Sequence, residues 1–256
     1  MNKGSHLVMT DCRSKVLIIT INRPEVRNAF DLETAKAMQA AMDFLDDDES
    51  LLLGIVTGAG GNFSSGMDLK AAARDGPVPA LARGDFGILG RPARKPLIAA
   101  VEGYAVAGGF EISLACDLIV AARDAKFGLP EVRHNLLATY ALLRLPLRMP
   151  YHLAMELALT GAFKGAPFFE RFGVVNVLTE PGKALDEALK LADILLANGP
   201  LALAASKEII FQSLDRRGQE DRLKQSTIVQ RVINSDDLRE GLRAFAENRE
   251  PIWKGR

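Results

Sequence analysis

Pro96-Leu97-Ile98-Ala99-Ala100-Val101-Glu102-Gly103-Tyr104-Ala105-Val106-Ala107-Gly108-Gly109-Phe110-Glu111 carries the chain from a buried strand into a helix. Pro96 to Val101 is a continuous apolar run and reads as the strand. Ile112 to Cys116 is apolar and reads as the helix. Glycines between them let the backbone come close to a ligand. The first N–H groups of a helix have no partner within it and attract negative charge. Glu111 follows Gly108 by three residues, one turn along the same face. A cradle for negative charge beside a carboxylate is suited to holding an enolate and moving a proton next to it. Read alone, the pentad Ala107–Glu111 is explained as well by a close-packed turn with a surface glutamate.

The same arrangement recurs on either side. Upstream, the apolar run Leu51–Thr57 leads to Gly61-Asn62-Phe63-Ser64-Ser65-Gly66-Met67-Asp68-Leu69. Downstream lies Phe127-Gly128-Leu129-Pro130-Glu131. Further strands are expected at Val16–Ile21, Cys116–Ala121 and Val174–Leu178. Their near-continuous apolar character suits a sheet covered on both faces. Asp31 is a plausible N-cap for a helix to about Leu45, with Leu32, Ala35, Met38, Ala41, Met42 and Leu45 at helical spacing. Strand–helix–strand order argues for an α/β protein with parallel pairing. The acid run Asp46–Glu49 reads as a solvated boundary. Residues 71–95 mix helix formers with breakers and read as a mobile segment over the site, with a helix near Phe86–Leu89. Tyr151–Leu159 is a helix closed by Thr160-Gly161. From Lys183 the chain reads as helices over 183–197, 201–214, 219–232 and 236–247, the first two parted by Asn198-Gly199-Pro200.

Bulk composition narrows the function classes. The 256 residues are 48% hydrophobic and 25% charged, with 32 basic and 32 acidic side chains. A balanced chain gives no electrostatic reason to expect nucleic acid or an anionic membrane as partner. Cys12 and Cys116 form no CxxC pair, and three histidines lack ligand spacing, so no metal is expected. No apolar run reaches the roughly 18 residues of a membrane span, and residues 1–6 contain no apolar signal core. A cytoplasmic location is expected. Met9 is an alternative native start.

The three glycine-bearing pieces, in order and preceded by Ile21-Asn22-Arg23-Pro24-Glu25-Val26-Arg27-Asn28-Ala29-Phe30, resemble the crotonase (enoyl-CoA hydratase/isomerase) superfamily. The resemblance runs from about Val16 to Lys254. It implies an α/β fold: a crotonase-like spiral of ββα units with a C-terminal helical trimerisation region. Residues 1–15 are then an N-terminal extension, 16–197 the spiral core, and 198–256 the helical region. It also implies trimers, often paired into hexamers. The implied chemistry is that of an acyl-CoA thioester whose carbonyl becomes an enolate. The main-chain N–H groups of Met67 and Gly108 match the oxyanion hole, and one such donor is worth about 2.7–4 kcal/mol of barrier. Glu111 and Glu131 match the two glutamates that flank the water in family hydratases. Enoyl-CoA hydratase is the leading expectation. An enoyl-CoA isomerase, a related acyl-CoA dehydratase, or a non-catalytic acyl-CoA binder are the alternatives. No cofactor is implied beyond the CoA of the substrate.

For CoA, the resemblance implies Val26, Arg27 and Ala29 along one side, and Ser65, Gly66, Asp68, Leu69 and Lys70 opposite, with Tyr104, Pro130, Tyr140 and Phe245 also at the substrate. Asp68 is expected to brace its loop. One stretch departs from the family. Where hydratases carry a glycine-rich segment after the second glutamate, this chain reads Val132-Arg133-His134-Asn135-Leu136-Leu137-Ala138-Thr139-Tyr140-Ala141-Leu142-Leu143-Arg144. Side chains there narrow the acyl pocket or displace the water. His134 reads as a loop residue, and Asn248 stands where a basic residue is common, so Arg249 or Lys254 are substitutes for a phosphate contact.

Overall fold

A computed structural model describes residues 6–213, 230 and 233–252. The strands in chain order are β1 (Val8–Arg13), β2 (Val16–Ile21), β3 (Leu53–Gly58), β4 (Leu97–Val101), β5 (Tyr104–Val106), β6 (Leu118–Ala122), β7 (Lys126–Gly128), β8 (Phe163–Gly165) and β9 (Val177–Thr179). The helices are α1 (Leu32–Asp47), α2 (Leu69–Asp75), α3 (Gly108–Ala115), α4 (Thr139–Arg144), α5 (Tyr151–Thr160), α6 (Ala166–Glu170), α7 (Ala184–Leu196), α8 (Pro200–Ser213) and α9 (Asp236–Glu247). The large sheet runs β1-β2-β3-β4-β6-β9 and the small one β5-β7-β8. Every pairing in the large sheet from β2 onward is parallel.

Alternation along the strands explains the continuous apolar runs. Leu17, Ile19, Val56, Leu97, Ala99, Val101 and Ile119 face the main core. Val16, Leu53, Ile55, Ile98, Ala100 and Val120 face the other way. There α7 lies over them through Ala184, Ala188 and Ala192. Three alanines at a four-residue spacing present a flat stripe that lets the helix approach the sheet closely.

A unit repeats through the middle of the chain. A strand in the large sheet is followed within a few residues by one in the small sheet, then by helix. β4 and β5 lead to α3; β6 and β7 lead to the turn at Pro130. β3 leads to Ser64, which bridges Ala105, and Ala105 pairs with Phe127, all in parallel. Residues 64, 105 and 127 are therefore successive turns of one coil. Each turn leaves the small sheet at the same place: at Met67, at Gly108 and at Pro130.

Several expectations change. The segment assigned to an N-terminal extension contains β1, which pairs antiparallel with β2 from Val8↔Ile21 to Arg13↔Val16 and forms the sheet's edge. Asp11 and Arg13 on that edge discourage further strand addition. The acid run after α1 is not wholly solvated: Asp46 is buried and holds the buried guanidinium of Arg83 at 2.8 Å. Asp43 holds the same group at 2.7 Å. These ion pairs anchor the segment read as mobile onto α1. The helix expected near Phe86–Leu89 is a single 3-10 turn, Asp85–Gly87. The last strand begins three residues later than expected and ends one residue later, and the helix expected over 219–232 falls almost wholly outside the described residues.

Candidate active site

The entrance motif builds a scaffold before it meets any ligand. Asn28 is fully buried with φ +57. Its side-chain oxygen accepts from Arg23 N at 2.9 Å, and its amide donates to the carbonyls of Ala59 and Asn62. The Ser64 hydroxyl donates to the Asn28 carbonyl at 2.8 Å and accepts from Gly66 N at 3.1 Å. Arg23 pairs with Asp68 at 3.1 Å. Asp68 also caps α2 by accepting from Ala71 N. The bracing role expected of Asp68 is what its contacts show.

Two main-chain amides emerge from this frame. Phe30 N donates to Gly66 O at 2.7 Å and Asp68 N donates to Phe30 O at 2.8 Å. Since successive N–H groups of an extended chain point to opposite sides, the amide of Met67 between them points away from Phe30. Gly108 opens α3, and its N–H has no acceptor one turn earlier in that helix. The backbones meet at Gly66: a Cβ there would lie 2.6 Å from Gly108 N. Gly109 is equally constrained, since its Cβ would fall 2.1 Å from Ser64 O. Ala107 turns the chain between β5 and α3 at φ +54, ψ −133, a conformation that costs an L-residue energy. Its own N–H donates to Gly128 O at 3.0 Å and holds the turn in place.

Met67 and Gly108 line one cavity of about 780 Å³ with Glu111 and Glu131. Both carboxyls are buried. Glu111 Oε1 accepts from the N–H of Tyr140 at 2.9 Å and of Ala141 at 3.0 Å, at the start of α4. The segment that departs from the family pattern thus supplies the donors that fix Glu111. Glu131 Oε2 is buried without a hydrogen-bond partner. Burial pushes Glu111 up to about 7; the Asp85 charge adds to this, and the two N–H donors and Arg144 oppose it. Burial pushes Glu131 up to about 8, with the Glu111 charge next in weight. Adjacent buried acids with separated proton affinities divide into a proton holder and a proton acceptor.

Of the other anticipated residues, Val26, Arg27, Ala29, Ser65, Asp68, Leu69, Lys70, Pro130 and Phe245 line the same cavity. Gly66, Tyr104 and Tyr140 do not. Gly66 backs onto Gly108. Tyr104 is at the surface, with the Arg27 guanidinium 5.6 Å from its ring centroid and Phe163 edge-on beside it. Tyr140 is buried in the core with Arg144 over its ring, so its main chain serves the site and its side chain does not. His134, read as a loop residue, lines the cavity and packs edge-on to Phe245 at 5.3 Å. Burial holds its imidazole below the usual histidine range. Arg249 is engaged by Glu240 and Glu247 rather than turned to the cavity, and Lys254 lies outside the described residues.

Sequence reasoning missed Asp85, Phe86, Ile233 and Leu238, which also line the cavity. A signal existed for three of them. Gly84 and Gly87, both at positive φ, bracket Asp85-Phe86 as a tight turn. Leu238 and Phe245 stand seven apart on one face of α9. Among the described residues no cluster of histidine, cysteine or acid side chains is arranged to hold a metal ion.

Residues 11–256 match the family described as "Enoyl-CoA hydratase/isomerase". The chain is 40% identical to an enoyl-CoA hydratase, EchA19, of Mycobacterium tuberculosis, covering 97% of this chain and 96% of that one. It is also 40% identical, over 100% of both chains, to a carnitinyl-CoA dehydratase of Salmonella enteritidis. The crystal structure of an enoyl-CoA hydratase from Mycobacterium tuberculosis H37Rv superposes with a TM-score of 0.79 at 50% identity, over 98% of this chain and 100% of that one. The coil of strand–strand–helix turns is thus the crotonase fold, and with a family match spanning nearly every residue, the chain belongs to the enoyl-CoA hydratase/isomerase family.

Proposed function

We propose that the protein is an enoyl-CoA hydratase, adding water across the double bond of a 2-enoyl-CoA or, in reverse, dehydrating a 3-hydroxyacyl-CoA. The observation that carries this reading is the pair Glu111 and Glu131, both buried in the cavity with raised proton affinities. Near neutrality the pair holds one proton. Glu111, stabilised by two N–H donors, is the better anion; Glu131, with an orphaned oxygen and the higher proton affinity, is the one that stays protonated. In this reading Glu111 takes a proton from water as its oxygen bonds to the β-carbon. The C=C electron pair moves toward the thioester carbonyl, whose oxygen is met by the amides of Met67 and Gly108. Glu131 delivers its proton to the α-carbon. The net change is one water added and one proton moved between the acids, which exchange with solvent to reset. Donors fixed by the fold before reaction are suited to this, since they need no rearrangement as charge develops.

The CoA moiety is assigned to the mouth, where Arg27 and Lys70 are exposed and suit phosphates. No group besides CoA is required. A cytoplasmic location fits the absence of any single described helix long and apolar enough to cross a membrane. Assembly into trimers or paired trimers is supported by exposed apolar side chains on α7 and α8, including Ile194, Leu201, Ile209 and Ile210. The relatives named carnitinyl-CoA dehydratase favour a second reading, in which the same step runs as dehydration of a substituted acyl-CoA.

The test is the loss of enoyl absorbance on a panel of short, medium and branched 2-enoyl-CoAs. Hydration is expected, and Glu111→Gln or Glu131→Gln is expected to slow it by about 10²–10⁴-fold. An isomerase would tolerate one of those changes. Acyl-CoA binding with no turnover on any member would identify a binder and end the hydratase reading.

A further inference from the structure

Glu111 is held by main-chain groups, and one side chain outside the cavity ties those groups down. Glu111 Oε1 accepts from the N–H of Tyr140 and of Ala141, so the carboxylate keeps its place only while the start of α4 keeps its own. α4 has six residues, too few to hold a helix in position by internal hydrogen bonds alone. Its last residue is Arg144, whose Nη2 donates to the Leu89 carbonyl at 2.5 Å. Leu89 is fully buried, on the strap that follows α2. The same guanidinium lies 5.3 Å from the centroid of the Tyr140 ring, four residues back along one helix face. That ring is itself seated in the strap. A Cβ at Gly84 would fall 2.9 Å from the Tyr140 hydroxyl, and one at Gly90 3.3 Å. The strap closes on itself there, since Gly90 N and Arg91 N both donate to Arg83 O.

Arg144 therefore joins the strap, the Tyr140 ring and the helix whose amides meet Glu111. It also carries a permanent positive charge. That charge favours the Glu111 carboxylate, against burial and the negative charge of Asp85 on the strap. Glu131, on the turn after β7, is the other acid coupled to Glu111. We propose that Arg144 is a positioning residue for Glu111, holding the two N–H donors in place and keeping the carboxylate ionised for reaction. The proposal rests on the reading of Glu111 as the proton acceptor in hydration and names what sustains it in that role.

The test is the pH dependence of kcat and kcat/KM for enoyl-CoA hydration in Arg144→Met, beside carbon-13 titration of labelled glutamates. Methionine keeps an unbranched apolar stem and drops the charge and the donor. Without the cation the anion is costlier, so Glu111 should hold its proton to a pH about one unit higher, and the acid limb should move with it. The value of kcat should fall by roughly tenfold to a hundredfold as the amides drift, with KM little changed because Arg27 and Lys70 at the mouth are untouched. Arg144→Lys retains the charge without the planar group that spans ring and carbonyl. It should return the acid limb most of the way to the parent's while kcat stays reduced. Should the methionine variant fail to fold, Arg144→Gln keeps a donor for Leu89 and should show the same displaced limb. Acid limbs and Glu111 titrations that coincide in the parent and the uncharged variants, whatever happens to stability, overturn the proposal and leave the hydratase reading standing. A parent that hydrates no enoyl-CoA overturns that reading instead, and the substrate-free titration of Glu111 still decides whether Arg144 governs its charge.

Discussion

Glu111 and Glu131 sit twenty residues apart in sequence and at equivalent exits of successive turns of the coil, yet their surroundings differ. Glu111 accepts two main-chain N–H bonds; Glu131 has one oxygen with none. Their proton affinities are linked through the Glu111 charge, the second cause of the rise at Glu131. The activity that depends on one shared proton should follow a bell-shaped pH profile, rising through the lower apparent value and falling through the higher. Glu111→Gln removes the charge but not the burial, so Glu131 should release its proton at lower pH than in the parent, while staying above an ordinary glutamate. Carbon-13 titration of labelled glutamates reads this directly; an unmoved Glu131 would show that the two acids do not sense each other. The acids themselves were legible in the sequence because motif spacing marks them. What fixes Glu111 was not: the donors are main-chain groups of residues 140 and 141, whose side chains carry no trace of that task, and the tyrosine singled out there faces the core.

The elements that shape the cavity are held by contacts remote in sequence, and this is where local reading failed. The five large-sheet strands from β2 to β9 and the helices α1, α3, α5, α7, α8 and α9 follow from apolar runs, caps and breakers that lie within each segment. Asp31 caps α1 through Thr34 N, and Gly161 closes α5 in the left-handed region. The three-residue strands β5, β7 and β8 are too short to show a period, and exist because each extends its neighbour from the preceding turn. Residues 76–95 look like loop for the same reason: nothing local says that Arg83 is buried. Its guanidinium bonds Asp43 and Asp46, and its main-chain N–H donates to Gln39. Removing one partner of a buried pair leaves an uncompensated charge, which costs about 3–5 kcal/mol. Asp46→Ala is expected to cost about 3 kcal/mol in chemical denaturation, because Asp43 retains part of the pairing. It should also weaken substrate binding, since the same strap carries Asp85 and Phe86. A change within about 0.5 kcal/mol would mean that Arg83 finds water in place of Asp46.

At the scale of the whole molecule, the cavity sets a term in global stability. It lies where the coil, the strap after α2 and α9 converge; Asn135 donates to the Ser235 hydroxyl at 3.1 Å, and His134 packs on Phe245. Sealing two acids inside that junction means that the native protein keeps protons which the unfolded chain gives up. Glu131 ionises near 4.5 when unfolded and near 8 when folded. Between those values the native state binds more protons than the unfolded one, so stability falls as pH rises, by at most about 1.4 kcal/mol per proton for each pH unit. Below the unfolded value both states are protonated and the contribution is fully present; above the folded value the loss is complete. Glu131→Gln has no proton to surrender at that site. Its melting temperature relative to the parent should therefore climb from pH 5 to pH 8 and then level, even as its activity collapses, the opposition expected where a catalytic group is kept in unfavourable surroundings. Calorimetric scans of the two proteins across that range test it. A difference independent of pH would mean that water reaches Glu131 in the folded state and that the buried acid pair, on which the proposed division of proton holder and acceptor depends, does not exist in solution.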